Sequence, residues 1–222
     1  MWLQGMPRER AAALRSALER HPSAVRGVEY PGWYFRRWHF LPDGYCSARS
    51  AALYDRLIRP LYWAGSEGRV VALLARWLER TGARRVLEVG PGPGRLLAAL
   101  RARLPGIEFR AIELSPYFVA AATQRLGEGV VVHGDGRDLR RVSRVFDAVI
   151  AAHYVGHLPR HEQQAAIAAL AEAARPGGTV VMVEHRWHRL RVPGELRPAA
   201  RRAAGFSTLQ FYRRFAGEGA GA

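Results

Sequence analysis

The chain has no lysine, no asparagine and only one cysteine, Cys46. It also has no apolar run near the roughly 20 residues that span a bilayer as a helix. Each lack excludes something. One cysteine makes no internal disulfide and supplies no thiolate metal cluster, so a reducing cytoplasm is the expected compartment. Met1–Ser16 alternates charge with alanine and lacks the apolar centre of a secretory signal. No cluster of acids or histidines has metal-ligand spacing, so no metal is expected. All 34 basic side chains are arginine against 19 acidic ones, a formal net charge of +15. Two readings stand side by side: compositional bias that swaps lysine for arginine on a solvated surface, or a basic surface that meets an anionic partner.

What is present fits one substantial core plus a cap, because 222 residues hardly build two full domains. Residues 30–64 are dense in aromatics, among them Tyr30, Trp33, Trp38, Tyr45, Tyr54, Tyr62 and Trp63, and are broken by Pro31, Pro42 and Pro60. That composition predicts short helices and turns rather than sheet. Residues 7–20 carry the spacing of one opening helix. From Ser66 the pattern becomes regular, so the expected division is a helical cap over 1–65 and a core over 66–222. Val70, Leu73, Leu74, Trp77 and Leu78 form one helical stripe. Apolar runs at Arg85–Val89, Glu108–Ile112, Val130–His133, Ala148–Ala151 and Thr179–Glu184 alternate with helical segments Arg95–Leu104, Pro116–Leu126 and Glu162–Ala174. Such alternation predicts a mainly parallel sheet with helices on both faces. Pro176-Gly177-Gly178 reads as a helix stop and turn. The small-residue tail Gly217–Ala222 is expected to fray.

In open α/β sheets, ligands bind beyond the carboxyl ends of the strands. Three features land there. Glu88-Val89-Gly90-Pro91-Gly92-Pro93-Gly94 follows a strand and opens a helix, where glycines let the backbone approach a ligand. Glu113 ends the next strand, at the offset where a carboxylate accepts the two hydroxyls of a ribose. Asp135, in His133-Gly134-Asp135-Gly136, ends the third and can accept from an adenine amino group. The dinucleotide pattern G-x-G-x-x-G fails, because its last glycine would fall on Arg95.

Val86–Gly94 resembles motif I of the class I S-adenosylmethionine-dependent methyltransferases, and Glu113 their second-strand acid. Asp135-Gly136 looks like their adenine-contacting pair, Phe146–Ile150 like their fourth-strand motif, and Arg175–Thr179 like the loop before strand five. The resemblance covers about residues 66–184. It implies a Rossmann-like fold and S-adenosylmethionine as cofactor, with S-adenosylhomocysteine as product. Glu88, Gly90, Pro91, Gly92 and Gly94 would surround the methionine portion, and Glu113 with Leu114 the ribose. Asp135, Gly136 and Arg137 would surround the adenine, and Ala152 and His153 would complete the contacts. The chain's end departs from the family pattern. Phe206–Phe215 is expected as a sixth strand and no seventh is evident, unless Arg189–Val192 or a partner supplies one.

Methyl transfer needs alignment and exclusion of water, and a base only when the acceptor loses a proton. His153, Tyr154 and His157, just after strand four, are the candidate catalytic residues. Amide-and-proline motifs that receive a flipped adenine are absent, and Cys46 lies far from the fourth strand, where cytosine C5 chemistry would need it. The expected acceptor is therefore a small lipophilic or aromatic molecule, of lipid or quinone-precursor type, with Tyr54, Tyr62, His185 and Trp187 as candidate contacts. Ala51–Trp63 faintly resembles the entry segment of quinone- and phospholipid-methylating enzymes. His185–Arg191 could grip a phosphate or carboxylate, or lie on an anionic membrane. An RNA methyltransferase and a non-catalytic cofactor-binding subunit remain as alternatives, and the oligomeric state stays open.

Overall fold

In the computed structural model, which describes residues 5–142 and 145–215, the apolar runs pair into one seven-stranded sheet. The tail Gly217–Ala222 lies outside the described residues. The strands are β1 (Arg85–Val89), β2 (Glu108–Glu113), β3 (Val131–His133), β4 (Phe146–Ala152), β5 (Ala174–His185), β6 (Leu196–Ala204) and β7 (Ser207–Arg214). Their order is β3-β2-β1-β4-β5-β7-β6, parallel throughout except that β7 runs antiparallel to both neighbours. The chain winds outward from β1 through β2 to β3, then returns to place β4 on the other side of β1. That reversal opens a crevice at the carboxyl ends of β1 and β4.

The helices are α1 (Arg8–Glu19), α2 (Ala48–Leu53), α3 (Arg59–Trp63), α4 (Glu67–Arg80), α5 (Arg95–Arg103), α6 (Pro116–Leu126) and α7 (Arg160–Ala173). Strand residues alternate between two apolar layers. Val86, Ala148, Ile150 and Val181 pack with Val70, Leu74 and Leu78 of α4 and Leu97 of α5. Leu87, Val89, Val149 and Met182 pack with Ile167 and Leu170 of α7. Both faces are thus covered, as continuous apolar strands require. Ser115 caps α6 by accepting from the Phe118 N–H at 3.4 Å, with Pro116 in the first turn. The Arg175–Gly178 turn bulges from β5 between the pairings Phe146↔Ala174 and Ala148↔Thr179.

Before α4 the chain is helical and turned, as its prolines predict. Short 3-10 turns at Gly32–Tyr34 and Trp38–Phe40 precede α2, and a π-helical turn, Tyr54–Ile58, joins α2 to α3. Leu14, Leu18, Tyr30, Tyr34, Phe35 and Cys46 bury one another and meet Leu114 and Tyr117 just beyond β2. Tyr30 Oη lies 3.0 Å from His133 Nε2, and the Val25 N–H donates to His133 Nδ1 at 2.9 Å, fastening this layer to β3.

The expectation at the chain's end is corrected. A seventh strand is present: Ser207–Arg214 is β7, and the partner it needs is Leu196–Ala204, not Arg189–Val192, which forms no strand. β6 escaped notice because it is an edge strand. Its residues 197–199 and 201–203 are exposed, so it shows little apolar alternation. Pro198 sits where the register shifts between Pro198 and Ala200. Proline and arginine on an edge oppose further strand pairing.

Candidate active site

The loop after β1 and the layer before α4 line one cavity, walled by glycines, acids and aromatic rings. Gly90 turns at φ 70°, and a Cβ there would lie 3.0 Å from the Tyr154 ring. A Cβ on Gly136 would come within 2.4 Å of Val89 Cγ1 and 2.8 Å of Tyr154 Oη. A larger residue at either place would press on the Tyr154 ring, which closes over the backbone of both. Its hydroxyl is buried without a partner.

Two acids flank the loop in different states. Glu113 Oε2 accepts the Gly92 N–H at 3.0 Å and Oε1 accepts the Ser115 N–H at 2.8 Å. Burial raises its pKa, and these backbone donors oppose the rise. Glu88 is only 2% exposed, and its Oε2 has no hydrogen-bond partner. Burial pushes its pKa up to about 8, against the attraction of Arg59 and with the repulsion of Glu113.

Arg59 also lines the cavity, at 4% exposure. Its Nη2 donates to Glu67 at 2.6 Å and its guanidinium lies 4.6 Å from the Trp63 ring centre, while Nε is buried without a partner. An unsatisfied acid and an unsatisfied guanidinium nitrogen on one cavity wall suit an amino-acid zwitterion.

The far end of the cavity is aromatic and imidazole-rich. His157 Nε2 lies 3.1 Å from His39 Nε2, so one ring donates and the other accepts. His153 Nε2 lies 3.2 Å from Ser207 Oγ, and its ring packs against Tyr62, Trp63 and His185 at 4.7–5.1 Å between centres. Nδ1 of His153, His157 and His185 is buried without a partner. Burial holds the pKa of His39 and His157 down at about 4 and that of His153 well below normal, so these rings are neutral around pH 7. His39 and His153 both adopt positive φ, 51° and 53°, a left-handed backbone that non-glycine residues adopt only uncommonly.

Of the expected cofactor residues, Glu88, Gly90, Pro91, Gly92, Glu113, Leu114, Asp135, Gly136, Ala152 and His153 line the cavity. Gly94 does not: it starts α5 and faces Leu126 and Ala122. Arg137 also stands outside the lining. It holds Asp135 from behind, with Nε 3.0 Å from both oxygens, and reaches Glu162 at 2.6 Å. The candidate catalytic residues His153, Tyr154 and His157 all reach the cavity, as does Tyr54. Tyr62 and His185 sit one layer out, 4.5 Å apart, and Trp187 stacks on His185 at 4.5 Å with most of its surface exposed. Sequence reading missed Arg59 and His39. The only signal for either was its place within the aromatic run.

A family model described as a methyltransferase domain matches residues 86–178, from β1 into β5. Solved structures share the fold. An O-methyltransferase family protein from Burkholderia thailandensis is 17% identical at a TM-score of 0.61, covering 95% of this chain and 71% of its own. A TehB-like S-adenosylmethionine-dependent methyltransferase from Corynebacterium glutamicum is 21% identical at 0.58, covering 76% and 100%. CalS10, an amino pentose methyltransferase from Micromonospora echinaspora solved with S-adenosylmethionine bound, is 25% identical at 0.50, covering 75% and 84%. With its strand order, glycine loop and strand-end acids in place, the chain carries a methyltransferase domain over residues 86–178, in the fold that S-adenosylmethionine-dependent methyltransferases share.

Proposed function

We propose that this methyltransferase acts on a small, uncharged, lipophilic or aromatic acceptor bearing a hydroxyl. The observation that supports this most is the wall beyond the donor end: Trp38, Tyr45, Tyr54 and Phe118 with neutral His153 and His157. A charged acceptor would meet no compensating charge there.

The donor residues fit S-adenosylmethionine. Glu88 Oε2 takes the methionine ammonium and Arg59 Nε its carboxylate, both atoms being buried and unsatisfied otherwise. Glu113, held in place by the Gly92 and Ser115 N–H groups, takes the ribose hydroxyls, and Asp135, steadied by Arg137, faces the adenine. The bound donor supplies a methyl carbon already activated on a sulfonium. The protein's part is to align the acceptor, exclude water and receive a proton. His157, backed by His39 at 3.1 Å and neutral around pH 7, would receive that proton on its imidazole. Residues 1–65 serve as the cap that closes the acceptor chamber.

Calorimetric titration with S-adenosylmethionine and S-adenosylhomocysteine tests the donor site, and a turnover screen of phenolic and quinol acceptors tests the other. His157→Gln should lower kcat by about 10²–10⁴-fold with donor affinity unchanged. Equal turnover by the variant, or turnover only on RNA, would defeat the assignment.

A further inference from the structure

The helical stretch from Ala48 to Trp63 is inverted relative to a helix that packs in water. Tyr54, Asp55, Arg59, Tyr62 and Trp63 turn inward or are half-buried, while Leu53, Leu57 and Leu61, four residues apart, are exposed by 37%, 54% and 69%. A polar and aromatic inner face with a leucine outer stripe reverses the usual amphipathic pattern.

Other apolar groups extend the stripe. His39 packs on Tyr62 at 4.7 Å, and the successive positive φ angles of His39 and Phe40 bury the histidine and leave the phenylalanine 82% exposed. Tyr62 packs on His185, which stacks on Trp187, 62% exposed. The Arg186 N–H donates to the Phe206 carbonyl at 2.9 Å, bringing a 56% exposed ring alongside. The residues these groups cover, His39, Tyr62 and His185, form the outer layer of the acceptor end.

Arg37, Arg56, Arg186 and Arg189 are exposed among these rings and belong to no ion pair among the described residues. The nearby acids are engaged: Asp55 by Arg95 and Arg125, Glu67 by Arg59, and Glu184 by His188 and the Gly156 N–H. A second copy on a two-fold axis would bring like charge onto like charge.

We propose that this rim docks on an anionic lipid bilayer, with Leu57, Leu61, Phe40 and Trp187 entering the interface and the arginines meeting headgroup phosphates. This deepens the reading of a lipophilic acceptor, which then enters the chamber from the bilayer. The docking itself rests only on the rim.

The test is co-sedimentation of the full chain with vesicles of mixed phosphatidylglycerol and phosphatidylcholine, and of phosphatidylcholine alone. The protein should pellet with the mixed vesicles, and much less with the neutral ones or at high salt. L57S/L61S should bind the mixed vesicles about tenfold more weakly. R56S/R186S should lose about fivefold per arginine. Titration of both variants with S-adenosylhomocysteine should match the parent, showing an intact fold and separating this test from the methyltransferase reading. The proposal is overturned by no vesicle binding, or by equal binding to both compositions. It is also overturned if L57S/L61S abolishes a self-association seen without lipid, or if salt-sensitive binding to RNA occurs without vesicle binding.

Discussion

Binding of S-adenosylmethionine or S-adenosylhomocysteine at pH 7 should release most of one proton, because of Glu88. Its buried carboxyl titrates at about 8, so at pH 7 about nine-tenths of the empty protein carries it neutral. The ligand's α-amino group, with a pKa of roughly 7.8, is protonated to a similar extent. Separately the two groups hold about 1.8 protons. As a carboxylate–ammonium pair they hold one, so about 0.8 is released. At pH 9 both are largely deprotonated when apart, so pairing takes up about 0.8 proton, and the sign reverses near pH 8. Affinity itself changes only about two- to threefold between pH 7 and 9, because the two titrations oppose. The proton count is therefore the sharper readout, obtained by calorimetry at fixed pH in buffers of different ionisation enthalpy. Glu88→Gln should release none at pH 7 and bind more weakly. Without ligand the same variant should gain stability over the parent as pH rises from about 4.5 to 8, by at most about 1.4 kcal/mol per pH unit, since it removes a group whose folded pKa is raised. Release that is negligible in the parent, or equal in the variant, would refute the pairing.

Arg59→Met should weaken S-adenosylhomocysteine at least tenfold but leave decarboxylated S-adenosylmethionine little affected. Equal losses for both ligands, measured by calorimetry, would place the guanidinium elsewhere. Acid should loosen the layer before α4 first. His39 and His157 titrate at about 4 when folded and near 6.5 when unfolded, so the stability they contribute is full above 6.5 and lost as pH falls toward 4. Each contributes at most about 3 kcal/mol to that loss. H39Q/H157Q should flatten this limb of a melting-temperature profile, and an unchanged limb would show that other groups govern it.

How much of this was legible depends on the range of the interaction. β1 and α6 occur at their expected bounds because strand and helix patterns, a Ser-Pro start and glycine turns act over a few residues. The glycine loop and Glu113 could be read for the same reason, since each sits at the end of a recognisable strand. The His39–His157 pair could not, because the two rings are separated by 118 positions and meet only when the residues before α4 pack against the turn after β4. Arg59 reads as one more surface arginine among 34, and only burial beside Trp63 and Glu88 singles it out. β6 was invisible for the opposite reason: an exposed edge strand is specified by the hydrogen bonds β7 offers it, not by its own apolar pattern. Local periodicity thus determined the parallel strands β1–β5, the helices between them and the glycine loop. Tertiary packing decided which aromatics are buried, which histidines stay neutral and which leucines are left facing outward, because burial and pairing are properties of neighbours that the chain brings together only on folding.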